Sequence, residues 1–182
     1  MTRKNTSSIV YPKCVVFDLD YTLWPLWIDT HVTPPFRADE KNSSIVWDRY
    51  GTAIQFYDDV VAILQDLRDH GVSLCLASRT CEPKYAFRVL DLMKVTIDGK
   101  KQPAKNFFAI AEIYPGSKIT HMQNISKKLN IEYKDMLFFD DESRNREVER
   151  LGVTFQLLPD GLNKASSLEG YRAFAMRNGL SR

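Results

Sequence analysis

The chain is poor in every feature that would place it outside ordinary globular proteins. Its three cysteines, Cys14, Cys75 and Cys81, are scattered, form no CxxC pair and are odd in number. That excludes a disulfide framework and suits a reducing compartment, cytoplasm or nucleus. No apolar run approaches the ~20 residues that a membrane-crossing helix needs, and the first twelve residues lack the apolar core of a signal peptide. The excess of basic over acidic side chains is only +2 over 182 residues. Nucleic-acid and membrane partners call for a clustered basic excess, so neither is expected. His31, His70 and His121 lie far apart and match no zinc spacing. There is no internal repeat and no low-complexity stretch.

What is present is an alternation. Cys14-Val15-Val16-Phe17 is a short continuous apolar run with β-branched members, which suits a buried central strand. Val60, Ile63, Leu64 and Leu67 then mark one face of a helix, with Asp58 or Asp59 as its cap and Gly71 as its stop. Val72 to Ala77 is a second strand. Pro83 opens a helix that runs to Leu92, with Thr80 or Cys81 as cap. Phe107 to Ala111 is a weak strand, and Ser117 caps a helix carrying Ile119, Met122, Ile125 and Leu129. Met136 to Phe139 is a strand, followed by a charged helix to Leu151 that Gly152 stops. Val153 to Leu157 is the last strand, and an amphipathic helix starts near Asn163. Strand–helix repetition implies a parallel sheet with helices on both faces, an α/β fold. One domain is expected over 13–182, preceded by a flexible arm over 1–12, since a domain averages ~150 residues. Residues 24–56 hold three tryptophans among prolines and read as a loop or small β-hairpin. Residues 94–106, lysine-rich, read as an exposed insertion.

In such sheets ligands bind at the carboxyl ends of the strands, and that is where the polar residues fall. Asp18, Asp20 and Thr22 follow the first strand; Ser78, Arg79 and Thr80 the second. Lys118 opens a helix after the weak third, and Asp140, Asp141 and Glu142 follow the fourth. So many carboxylates repel one another unless a cation joins them, and hard oxygen ligands beside cationic and hydroxyl groups select magnesium and phosphate. One of Asp18 and Asp20, which point the same way in extended backbone, can attack phosphorus while the other moves protons. Lys118 would stabilise phosphoryl oxygens, and Ser78 would hold another at a helix N-terminus.

These stretches resemble the haloacid dehalogenase (HAD) superfamily. VVFDLDYTLWP is similar to its first motif, LASRT to the second, YPGSK to the third and FFDDESRN to the fourth, in the family's order. FDLDYTLWP, WIDTHVTPPF, ASRT, EIYPGSK and FFDDE further resemble the magnesium-dependent phosphatases within it. The resemblance covers Cys14 to Pro159. It implies a Rossmann-like fold, essentially capless with a small flap, Asp18 as nucleophile and Asp20 as acid/base. It places magnesium on Asp18, the carbonyl of Asp20, and Asp140 or Asp141. Leu19, Asp20, Thr22, Ser78, Arg79 and Lys118 would contact substrate.

The expected activity is hydrolysis of phosphomonoesters by a monomer. Phosphotyrosine in proteins heads the substrates, with sugar or fructosamine phosphates as the alternative. Two readings of another class compete: an aspartate-phosphorylated receiver, and a silent phosphate-binding module. In a receiver the acidic pair ends the first strand and the acceptor comes later, the reverse of the order here. Cys81 sits in no CxxxxxR loop, which removes a cysteine phosphatase. Trp24 and Trp27 are expected to pack the flap against the sheet rather than to meet substrate, and Glu142 and Arg144 to begin a solvated helix.

Overall fold

A computed structural model describes residues 9–180. Five strands form the central sheet: β1 (Cys14–Phe17), β5 (Ser73–Ser78), β8 (Ile110–Ile113), β9 (Met136–Asp140) and β10 (Thr154–Leu157). Their order is β10-β9-β1-β5-β8, and every pairing is parallel. β1 is central, in register from Cys14 opposite Ser73 and Met136 to Phe17 opposite Leu76 and Phe139.

Continuous apolar strands suit a sheet covered on both faces, and alternation along each strand divides two cores. Val15, Phe17, Leu74, Leu76, Leu137 and Phe139 belong to one. Against it pack α1 (Val60–Asp69), α2 (Pro83–Leu92) and α4 (Lys164–Arg177). Cys14, Val16, Cys75, Ala77, Met136 and Phe138 belong to the other, under α3 (Lys118–Leu129) and a 3-10 helix, Ser143–Leu151. Gly170 lets α4 lie close on β9, because a Cβ there would stand 2.5 Å from the Phe139 ring.

The chain runs β1 to β5 to β8 on one side of the sheet and then returns beyond β1 to β9 and β10. The reversal opens a crevice beside the carboxyl end of β1, the place where α/β sheets bind ligands. Between β1 and α1 the chain forms a small antiparallel sheet of two-residue strands, β2 (Arg37–Ala38), β3 (Val46–Trp47) and β4 (Ala53–Ile54). It is the flap, and Asp48 secures it by accepting the N–H groups of Thr33, Tyr50 and Thr52.

Several local expectations change. Residues 1–8 of the expected arm lie outside the described residues, while Tyr11 is held: its hydroxyl donates to Asp66 at 2.9 Å and its ring stacks on His70. The stretch 94–106 is an ordered hairpin, β6 (Lys94–Ile97) with β7 (Lys100–Pro103), leading into a 3-10 turn, Ala104–Phe107. Its lysines face out, but Val95, Ile97, Ala104 and Phe107 are buried in the core. Asp98 and Gly99, with φ of 50° and 74°, supply the tight turn that two-residue hairpins favour. The weak strand lies later than expected, over β8. Asp59 precedes α1 without a side-chain cap, and Glu82 rather than Thr80 or Cys81 precedes α2. The charged helix to Leu151 is 3-10, not α. Ser117 and Asn163 do cap their helices through side-chain oxygens.

Candidate active site

The first turn after β1 is tightly wound. The Leu19 carbonyl accepts the N–H groups of Thr22, Leu23 and Trp24 at 3.2, 2.8 and 3.4 Å. Tyr21 completes the turn in the left-handed region, φ 53°. A non-glycine residue there costs roughly 1–3 kcal/mol, which the surrounding bonds must offset. The turn leaves Asp18 and Asp20 facing a crevice of about 210 Å³. Ser78, Arg79 and Thr80 line it from β5, and Lys118 from the first residue of α3. Asp141, Glu142 and Asn145 close it after β9, and Trp27 and Asp29 reach in from the flap.

Lys118 is the electrostatic centre. It is buried, and its Nζ donates to Asp18 Oδ1 at 2.6 Å, lies 3.1 Å from Asp140 Oδ2, and also donates to the Ala77 carbonyl. A fully buried lysine without such partners would lose its proton. Burial works against the Lys118 charge here, and Asp18 and Asp140 outweigh it, so its pKa is held above the ordinary value. Burial pushes the Asp18 carboxyl well up; Lys118 opposes the shift, and the charge on Asp140 adds to it. Asp20 is pushed up to about 6 by burial, against the hydrogen bonds it accepts from the Trp24 indole N–H, 2.7 Å, and the Ile28 N–H, 3.2 Å. Asp141 also rises to about 6, through burial and the charge of Asp140.

The two acids after β9 differ in their surroundings. Asp140 is fully buried beneath the crevice, with both oxygens committed. Oδ1 accepts from the Glu142 N–H and the Asn145 amide at 2.7 and 2.9 Å; Oδ2 receives Asn145 and Lys118. Asp141 lines the crevice, and no side chain among the described residues donates to its carboxylate. The donor set thus offers the Asp18 carboxylate, the open carboxylate of Asp141 and backbone oxygen. Oxygen donors alone, few in number, suit magnesium, which keeps waters and takes up substrate oxygens. An added cation would also relieve the repulsion that raises Asp18 and Asp141. Among the described residues no three His, Cys, Asp or Glu side chains form a closed metal cage.

Asp18, Asp20, Ser78, Arg79, Lys118 and Asp141 therefore meet in one crevice. Of the expected contacts, Thr22 does not reach it with its side chain, and Leu19 is expected to meet phosphate only through its backbone N–H. Leu19 is buried in the core, and Thr22 is fully buried with its hydroxyl unpaired among the described residues. The turn at Leu19 draws both inward, which leaves Leu19 only its backbone for substrate. Trp24 packs inward on Phe56 as expected, but Trp27 is 47% exposed at the crevice mouth. Glu142 and Arg144 line the crevice too, paired to each other at 2.6 Å.

Asn145 and Asp29 were not legible as site residues. Asn145 holds both oxygens of Asp140 and accepts from Arg79 at 3.3 Å, and so joins the β9 end to the β5 end. Its signal is its place in FFDDESRN, five residues after Asp140. Asp29 accepts from the Thr80 hydroxyl and the Cys81 N–H, both at 3.1 Å, and clasps the flap to the loop that carries Ser78 and Arg79.

Residues 10–177 match the model of the acid phosphatase family. A HAD-like hydrolase superfamily protein of Schizosaccharomyces pombe is 56% identical over 166 residues, 90% of this chain and 96% of that protein. Human magnesium-dependent phosphatase 1 is 42% identical over 165 residues, 90% of this chain and 88% of its own. Among solved structures, a HAD family enzyme of Bacteroides thetaiotaomicron in complex with magnesium and inorganic phosphate superposes with a TM-score of 0.60. It is 12% identical and covers 85% of this chain and 98% of its own, a likeness of fold.

Proposed function

Since the chain belongs to the acid phosphatase family of HAD-like hydrolases, we propose that it hydrolyses phosphomonoesters with magnesium, using Asp18 as the nucleophile and passing through a phospho-aspartyl intermediate. The observation that carries this reading is the pairing of Asp18 with Lys118 at 2.6 Å in one crevice with Asp20, Ser78, Arg79 and Asp141.

Asp18 Oδ1 is engaged by Lys118, which leaves the other oxygen to attack phosphorus. Lys118, pinned by Asp140 and the Ala77 carbonyl, presents fixed positive charge to Asp18 and to the phosphoryl oxygens. Such fixed charge needs no rearrangement as the transition state forms. Ser78 and Arg79 hold the remaining oxygens, with Arg79 steadied by Asn145. Asp20 protonates the leaving oxygen and then takes a proton from the water that attacks phosphorus on Asp18. A pKa of about 6 suits both halves near neutral pH. Asp18, the Asp20 carbonyl and Asp141 would hold magnesium, and Asp140 braces Lys118 from beneath. The metal, when bound, supplies charge neutralisation for these carboxylates and for the substrate phosphate.

Phosphotyrosine in proteins heads the substrates in this reading, because the segment between β1 and α1 folds as three two-residue strands and contributes Trp27 and Asp29 to the crevice lining, where a bulky cap would bar a protein. The modest volume, about 210 Å³, favours a second reading, small sugar or fructosamine phosphates. The test is hydrolysis of para-nitrophenyl phosphate by the purified chain, with magnesium and with chelator, beside Asp18→Asn. Turnover that requires both magnesium and Asp18 is expected. Undiminished turnover by Asp18→Asn would overturn the nucleophile, and no turnover under any condition would leave a silent phosphate-binding module.

A further inference from the structure

The flap segment that turns from the first motif back toward the sheet carries an aromatic group that the mechanism above leaves unused. Trp27 lines the crevice together with Asp18, Asp20 and Arg79, and 47% of its surface is open. An indole half open at the mouth of a polar crevice offers a flat face to what enters it. That posture is fixed on three sides. His31 stacks on it, ring centroids 5.1 Å apart and planes 22° from parallel. Tyr21 meets it edge-on at 5.4 Å and 78°, and meets His31 edge-on at 6.2 Å and 88°. The backbone closes the same unit: the Trp27 N–H donates to His31 Nδ1 at 3.0 Å, and the His31 N–H donates to the Trp27 carbonyl at 2.9 Å.

Two acids that line the crevice with the indole are already committed within the protein. Asp29 receives Thr30, Thr80 and Cys81. Glu142 receives both arms of Arg144 and the Asn145 amide. A sugar leaving group entering here would find few free partners for its hydroxyls. A flat apolar ring would find a rigid indole face.

We propose that Trp27, backed by His31 and Tyr21, is the specificity-determining residue of the crevice and stacks on an aryl leaving group, so that aryl phosphomonoesters such as phosphotyrosine are selected over alkyl ones. This rests on the phosphatase reading and names the surface that would choose the substrate. Aromatic stacking is held on the substrate before and during reaction alike, so the preference resides in KM rather than kcat.

The experiment compares phenyl phosphate, a phosphotyrosine peptide and ethyl phosphate on the full chain with saturating magnesium, for wild type, Trp27→Ala and Trp27→Phe. Trp27→Ala should lower the aryl-to-alkyl ratio of kcat/KM by about tenfold through KM, about 1.4 kcal/mol. Trp27→Phe, which keeps an aromatic face, should hold the ratio within about threefold. Calorimetric binding of phenyl and ethyl phosphate to Asp18→Asn, with and without Trp27→Ala, reads the same preference without turnover. An unchanged ratio in a folded Trp27→Ala chain that still hydrolyses both esters would overturn the platform and leave the phosphatase reading standing. Failure of wild type to hydrolyse any ester would overturn that reading, and this proposal with it.

Discussion

The floor and the wall of the crevice are built by opposite means. The floor hangs on strand ends: Asp18 follows β1 and Asp140 ends β9, and Lys118 lies between them, all buried and all ionisable. The wall hangs on turns of the flap: Trp27, Asp29 and His31 are exposed, held by aromatic contacts and by hydrogen bonds at the surface. Charge taken out of water must be paired, so the floor tolerates almost no change. A stacked ring at the surface is held by weaker, independent contacts, so the wall can vary while the floor stays fixed. On this account the floor determines the chemistry and the wall determines which ester enters.

The largest effect should come from Lys118→Met. It leaves Asp18 and Asp140 buried without their shared cation, and loss of one partner of such a group costs about 3–5 kcal/mol. Denaturant unfolding in chelator at neutral pH measures it, beside turnover, which should vanish. The deficit should shrink as pH falls and the raised Asp18 carboxyl protonates. A neutral-pH stability equal to wild type would erase the contrast between floor and wall.

His121 gives the next effect. It is fully buried beside Lys118, its Nε2–H donates to the Tyr114 carbonyl at 3.1 Å, and its Nδ1 has no partner among the described residues. Burial first, and then the Lys118 charge, push its pKa down to about 4. The sign follows. Above an unfolded pKa of about 6.5 both states are neutral, and this source of stability is whole. As pH falls below that value the unfolded chain binds a proton that the folded chain refuses. Stability is therefore lost progressively between about pH 6.5 and 4, by an amount on the order of 3 kcal/mol, and the loss levels off below. Comparing the pH dependence of unfolding of wild type and His121→Asn isolates it; identical slopes across that window would contradict the assignment. The smallest effect belongs to the wall, the roughly tenfold loss of aryl preference in Trp27→Ala.

The floor was legible in the sequence because its logic is local. An apolar run that fills a strand and stops at an acid, as CVVF at Asp18 and MLFF at Asp140, announces both the strand and the residue at its end. Lys118 was legible from its place after YPGS, at the start of a helix that Ser117 caps. The wall was not, because its contacts join distant parts of the chain: Asp29 meets Thr80 across 51 residues. Nothing in a tryptophan's neighbours says whether it faces the core, as Trp24 does, or the crevice, as Trp27 does. Asn145 was masked by the charged run around it. The 94–106 hairpin was hidden by its lysines, although Val95 and Ile97 alternate with them before Asp98-Gly99. Thr22 shows the opposite error: a residue in a recognisable motif whose hydroxyl the turn at Leu19 buries away from the crevice.

The central claim is that Asp18 carries the phosphoryl group. It is tested most directly by acid-quenching Asp20→Asn after mixing with labelled para-nitrophenyl phosphate and magnesium, then mapping the label by peptide mass spectrometry. With proton transfer impaired, the account predicts a phosphoryl group on Asp18 that forms and decays slowly. Label on any other residue, or turnover equal to wild type with no label at all, would contradict it.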